Sequence, residues 1–431
     1  MSIEDTPSSS PTSERAIQFA ALTGFRGLAA LMVVLVHVSF RTEYTWLGVT
    51  HFGPVTLFVL SGFLLYRPWA QWMMRLKDRP NVRVFARRRL ARIFPPYLVV
   101  LVIVALVYPA ARPDGAAGWL YSITLTWIYK TGYFPVVMAQ TWSLATELSW
   151  YVALPVMAGV TGAIARRCSP RTGFWVAAGL MALSLPITLC WRLWVEQENL
   201  TLYFTYIFWL PAYLVCFAAG ALIAHISEGI DNGIVNLPRF RRLVSDPWAL
   251  LVVALATALL ATSALGKPEA FNSRPFLNEQ ALFWLVALLS TILLAVIVFT
   301  GSASVFTLLL GTRGFVAVGR WSYGIYLWHL PLVIILEDHV DYPQGLMGLL
   351  ARFALIFPIS IALGAATHAW VERPAIAWSH QVAARTSSDQ VQPRLREENS
   401  ARTEPTSPSS STAPQQPAPT SSQNRSDSPG G

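Results

Sequence analysis

The first long apolar run of this 431-residue chain holds two groups that hydrocarbon disfavours, Arg26 and His37. They stand eleven positions apart. At about 100° per residue that spacing returns both to one helix wall, roughly 16 Å apart along the axis. A charge inside a spanning segment marks a functional position unless it snorkels to the headgroups. Gly24 and Gly27 flank Arg26 and leave room for another backbone or a ligand. His37 has the chemistry of a general base or an acyl-carrying nucleophile, its plain alternative being an interfacial polar residue. Further on, T-W-S-L-A-T-E-L-S-W-Y contains Trp142, Ser143 and Glu147, the last two sharing a helix face. Glu147 is expected at the depth of His37, where a carboxylate could orient the imidazole, hold its proton, or make a structural hydrogen bond. A third apolar run, G-R-W-S-Y-G-I-Y-L-W-H-L-P, carries Ser322 and Tyr323 with His329 about two turns later. His329 is expected in the same outer half, either converging on a shared pocket or satisfying a helix end beside Pro331.

The segment F-A-R-R-R-L-A-R-I-F-P-P-Y brings Arg88, Arg89 and Arg92 together before a Pro-Pro step. Guanidinium pairs bidentately with phosphate, so the cluster reads as a phosphate clamp or as a lipid-headgroup and topology signal. Ser61 and Gly62 in L-F-V-L-S-G-F-L-L suit close helix packing or a polar patch lining a tunnel. No spacing of His, Cys or carboxylates resembles a metal site, so none is expected.

Composition says what must position these groups. Hydrophobic residues make up 54% of the chain and charged residues 13%, against roughly 25% charge in soluble proteins. That excludes a soluble enzyme, a disulfide scaffold and a fully disordered chain. The three cysteines are expected to be unpaired, and no cleavable leader is expected. Ten apolar stretches lie near 19–40, 52–67, 91–110, 142–163, 173–194, 203–225, 247–265, 280–300, 315–337 and 349–372. A shorter one at 303–311 suits the interface. The expected fold class is all-α integral membrane: a polytopic bundle of about ten transmembrane helices with both termini cytoplasmic. The orientation follows from arginines concentrated in the even-numbered connections, above all between the second and third stretches. Residues 1–16 and the Ser/Pro/Gln/Thr-rich stretch 381–431 are expected to be disordered, leaving 17–380 as the membrane domain. The longest outer connection, 111–141, is a candidate lid for an acceptor.

The ordered set of motifs resembles the membrane acyltransferase-3 family. It runs from G-F-R-G-L-A-A-L with His37, through F-V-L-S-G-F, R-R-R-L-A-R-I-F-P-P-Y, T-W-S-L-A-T-E-L-S-W-Y and S-Y-G-I-Y-L-W-H-L-P-L, to V-E-R-P at Val371–Pro374. The resemblance implies O-acylation, with acyl-CoA as cytoplasmic donor and a hydroxyl of an envelope glycan, glycolipid or small molecule as acceptor. It implies catalytic roles for Arg26, His37 and Glu147. It assigns the basic motif to the CoA phosphates, carrying over to Arg89 and Arg92 with Arg88 beside them. Ser322 and Tyr323 are expected to line the donor tunnel or to donate to the thioester oxygen, and Trp142, Ser143 and His329 to contact substrate. A multi-pass protein of a bacterial inner membrane is expected, working among lipids and without nucleic acid. Thr23 stands where relatives often have Asp. The esterase-like domain of many relatives has no counterpart in this sequence, which implies direct transfer or a separate envelope-biosynthesis partner. The alternative class is a transporter or flippase of an envelope precursor, which needs a polar midplane but no thioester.

Overall fold

The computed structural model describes residues 11–44, 52–197, 205–263 and 276–382. Among these residues the chain is helical, with no strand. The helices are α1 (Pro11–Ser39), α2 (Phe52–Met73), α3 (Val82–Val107), α4 (Gly115–Thr124), α5 (Trp142–Ala165), α6 (Pro170–Ala182) and α7 (Ser184–Gln197). They continue with α8 (Leu214–Asp231), α9 (Pro238–Ser245), α10 (Pro247–Thr262), α11 (Phe276–Thr300), α12 (Val305–Leu310), α13 (Arg313–Glu337) and α14 (Gly345–Thr367). A π-helical turn, His368–Glu372, follows α14. The described residues through His380 form one compact unit. Most of the expected disordered ends, 1–10 and 383–431, lie outside the described residues. Residues 11–16, expected to be disordered with them, belong to α1 instead; there Glu14 accepts hydrogen bonds from the backbone and hydroxyl of Ser302.

Among the described residues, seven helical stretches are long and apolar enough to cross a membrane, and the bent pair α9–α10, turned by 71°, makes an eighth if it is one span. This is a multi-pass membrane protein. Where described, the ten expected stretches run largely along helices, residues 203–204 and 264–265 lying outside the described residues; the two outside the set of eight are α2 and α13. Both are diluted by the side chains that matter here: Ser61 and Arg67 in α2, and Arg320, Ser322 and His329 in α13.

Two close crossings set the centre of the bundle. A methyl at Gly220 of α8 would lie 1.8 Å from the Val59 carbonyl oxygen, and one at Gly62 2.0 Å from that of Phe217. In α1 and α13, Gly27 and Gly319 face each other in the same way, with a Cβ on Gly319 falling 1.9 Å from the Thr23 carbonyl. The glycines beside Arg26 therefore admit a backbone. Gly220→Val is expected to destabilise the fold by about 1–3 kcal/mol or more, because backbone cannot yield to the added carbons. A fall in the thermal midpoint of the purified protein would show it; an unchanged midpoint would remove this crossing from the account.

The basic segment also differs from expectation. Asn81 caps α3 by accepting from the Arg83 and Val84 amides at 3.0 and 3.1 Å. The helix then runs through Arg87–Arg92 and across Pro95 and Pro96. The arginines are thus on a helix, and the Pro-Pro step does not break it. Arg67, expected in the same connection, lies within α2 and pairs with the buried Glu228 of α8. The 111–141 connection is folded as well: Trp127 is buried, the Tyr97 hydroxyl donates to the Ser122 carbonyl at 2.6 Å, and Trp209 Nε1 donates to that of Ile128 at 2.9 Å.

Candidate active site

α5 shows how one helix serves two media. Val152, Val156 and Val160 form an exposed stripe, 70%, 64% and 57% accessible, as suits a surface facing lipid. Ser143, Glu147 and Tyr151 recur every four residues on another face and enter a cavity of about 220 Å³. The same cavity is lined by Arg26 of α1, Ser61 of α2, Arg89 and Arg92 of α3, and Ser322, Tyr323 and Tyr326 of α13. Three arginines against one glutamate give the lining an excess of positive charge, so it suits an anionic ligand.

Glu147 accepts a hydrogen bond from the Ser61 hydroxyl and one from the Tyr151 hydroxyl at 2.8 Å, both through Oε1. Its charge lies in the field of Arg26. No hydrogen bond or ion pair joins it to His37 among the described residues, so of the two readings open for Glu147 the structure favours hydrogen bonding over an imidazole partner. α5 starts at Trp142 and places Glu147 in the arginine-lined cavity. Sequence reasoning passed over Tyr151, whose signal was its position four residues after Glu147. Ser61 is left open by the sequence between helix packing and a polar patch. It lines the cavity, while Gly62 beside it makes the crossing with α8.

The arginine cluster divides by helical phase. Arg89 and Arg92, three apart, line the cavity; Arg88 is exposed and lies outside it. Arg89 sits 5.9 Å over the Phe85 ring and 6.0 Å over Tyr151, and its buried Nε has no hydrogen-bond partner. Arg92 lies 3.8 Å from Glu372, a buried carboxylate that also meets His368 Nδ1 at 3.0 Å. Glu372 stands on the π-helical turn inside the V-E-R-P motif, and such turns recur at functional sites. The motif had been noted, but no role for Glu372 was expected.

The donors on α13 are already engaged. Ser322 donates to the Gly319 carbonyl at 2.9 Å, and Tyr323 donates to that of Ile93 at 2.7 Å. The Tyr326 hydroxyl donates to the Gln140 carbonyl and accepts from Ser143 Oγ at 3.0 Å. Trp142 is outside the cavity lining; its ring stacks on Phe208 with centroids 4.9 Å apart.

His37 and His329 do converge, at one side of the cavity and not in its lining. Their rings are 4.9 Å apart, with His329 Nε2 and His37 Nδ1 at 3.3 Å. His329 is fully buried and His37 half-buried. Tyr326 links the two regions: it lines the cavity, and its carbonyl lies 2.7 Å from His329 Nδ1. The parts present are therefore a cationic cavity, a hydroxyl-bonded carboxylate and an adjoining pair of imidazoles.

The family model described as an acyltransferase domain matches residues 19–368, which include every residue of this site except Glu372. The chain belongs to the acyltransferase-3 family. It is similar to the acyltransferase MdmB of Streptomyces mycarofaciens, 27% identical over 39% of this chain and 45% of that protein. It is also similar to the O-acetyltransferase OatA of Staphylococcus aureus, at 23% over 75% of this chain and 52% of that protein. The peptidoglycan O-acetyltransferase OatA of Listeria monocytogenes gives 24% over 75% and 51%. The chain thus spans about half the length of the curated relatives it matches. No solved structure matches it.

Proposed function

We propose that this acyltransferase-3 protein is a membrane O-acyltransferase. It moves a short acyl group, acetyl by preference, from cytoplasmic acyl-CoA to a hydroxyl of an envelope glycan, glycolipid or small acceptor. The observation that carries the reading is the cavity where Arg26, Arg89 and Arg92 gather, linked through Tyr326 to the His37–His329 pair. Arg89 and Arg92 offer planar donors to a phosphorylated donor. The cavity's 220 Å³ is below the roughly 300–1,000 Å³ of pockets that enclose drug-sized ligands. It suits the slender pantetheine arm, with the nucleotide outside. The printed names of the two OatA relatives support an O-acetyl product, and MdmB supports acyl transfer more generally.

In this reading both termini are cytoplasmic, the arginine mouth opens inward, and the protein resides in the cell membrane of a bacterium. His37 acts on the acceptor. As a base it takes the hydroxyl proton while the oxygen attacks the thioester carbonyl; the C–S bond breaks and the departing thiolate recovers the proton. As a nucleophile it carries the acyl group between two such steps. Arg26 holds the donor's polar arm, with Glu147, Ser61 and Tyr151 balancing its charge. Neither step needs a metal. An envelope-biosynthesis partner supplies or receives the acceptor where direct transfer does not suffice.

The test uses purified full-length protein with labelled acetyl-CoA and envelope extract. Release of CoA coupled to label in a base-labile ester is expected. Binding of neither acetyl-CoA nor a longer acyl-CoA, with no turnover, would overturn the reading.

A further inference from the structure

The His37–His329 contact specifies more than proximity. His329 Nδ1 is 2.7 Å from the Tyr326 carbonyl, and His37 Nδ1 is 2.9 Å from the Val33 carbonyl. A carbonyl oxygen only accepts, so each Nδ1 carries a proton. In the neutral rings each Nε2 then holds a lone pair. The lone pair of His329 Nε2 faces His37 Nδ1 at 3.3 Å. The Nδ1–H of His37 is thus shared between the Val33 carbonyl and His329 Nε2. The reverse direction fails, because a proton on His329 Nε2 would point at the proton His37 already carries. Nε2 of His37 has no hydrogen-bond partner among the described residues, and the residue is partly accessible.

We propose that His329 is a positioning residue that locks His37 in its Nδ1–H tautomer, leaving His37 Nε2 as the nitrogen that reacts. This rests on the acyl-transfer reading of the site. It moves His329 from the substrate-contacting role implied by the family resemblance to a role exercised through His37. The same lone pair serves either route. As base, Nε2 takes the acceptor's hydroxyl proton; as nucleophile, it bonds the thioester carbonyl carbon and expels the thiolate. In both, positive charge develops on the His37 ring and strengthens the Nδ1–H bond to His329. The orienting member of a catalytic triad acts on its histidine in this way, although here the acceptor is a neutral imidazole. Tyr326 becomes part of the device, because its carbonyl keeps the His329 proton on Nδ1 and so the lone pair toward α1.

Two readouts test it on the full-length protein in lipid nanodiscs. The first is the nitrogen-15 spectrum of histidine-labelled protein, with the His37 signals identified by their loss in His37→Gln. Wild type is expected to show a protonated Nδ1 and an unprotonated Nε2; a proton on Nε2 overturns the proposal, whatever the enzyme's activity. The second compares His329→Gln, His329→Asn and His329→Leu. The glutamine oxygen reaches the position of Nε2 and can accept from His37, whereas asparagine is too short and leucine has no acceptor. His329→Leu and His329→Asn are expected to lose about 10–100-fold in kcat, the scale on which partners orienting a functional histidine act. The donor KM should hold, and His329→Gln should recover most of the rate. Equal kcat for the glutamine and leucine variants overturns the proposal. If a variant fails to fold, the wild-type spectrum still decides. Absence of wild-type turnover with His37 in the expected tautomer counts against the acyl-transfer reading alone.

Discussion

His37→Ala is expected to lower turnover on the order of 10²–10⁴-fold, the contribution of a positioned acid–base group. Acyl-CoA binding should stay close to wild type. The separation follows from geometry: His37 is not among the residues lining the cavity, so its loss removes no lining residue. The substitution also leaves His329 Nε2 without its donor, and a His37→Gln variant tests whether that loss matters to folding. Turnover and equilibrium binding measured on the same preparation check the expectation. A His37→Ala enzyme within a few-fold of wild type would remove His37 from the chemistry. Label retained on wild-type protein after acetyl-CoA alone, together with ping-pong kinetics, would select the covalent route over the base.

The second large effect concerns donor affinity. Arg89→Gln and Arg92→Gln each remove a guanidinium from the cavity. A hydrogen bond to a charged group is worth about 1.5–3 kcal/mol, so each is expected to raise the donor KM roughly 10–100-fold. The kcat should change less. Arg88→Gln, one position away but exposed and outside the lining, should shift KM by only a few-fold at most. Steady-state kinetics at two ionic strengths separates the cases, since an exposed contact is screened by salt more than one within the cavity. Equal effects at Arg88 and Arg92 would mean that the cluster works as a diffuse cationic surface. The contact between Arg92 and Glu372 adds a constraint, because Glu372 holds that guanidinium from the π-helical turn.

The helical membrane class was legible because composition and run length report the cost of polar backbone in lipid, which only satisfied helices avoid. Periodicity within one helix was legible too. The spacing of Ser143 and Glu147 told that these two side chains share a face. What spacing could not give was height between helices. Arg26 and Glu147 meet in one cavity, while His37 meets His329 and not Glu147, because the α1–α13 register is set where Gly27 and Gly319 touch backbone to backbone. A residue count along α1 and another along α5 contain no term for where those two helices cross. Nor do they reveal that α3 begins at Val82 and carries its arginines in helical phase, since polar content hid that turn from an apolar-run reading. The sequence by itself determined the medium, the helices and the inventory of reactive groups. Only the tertiary structure decided which groups are partners, since partnership depends on crossing points and tilts that packing alone supplies.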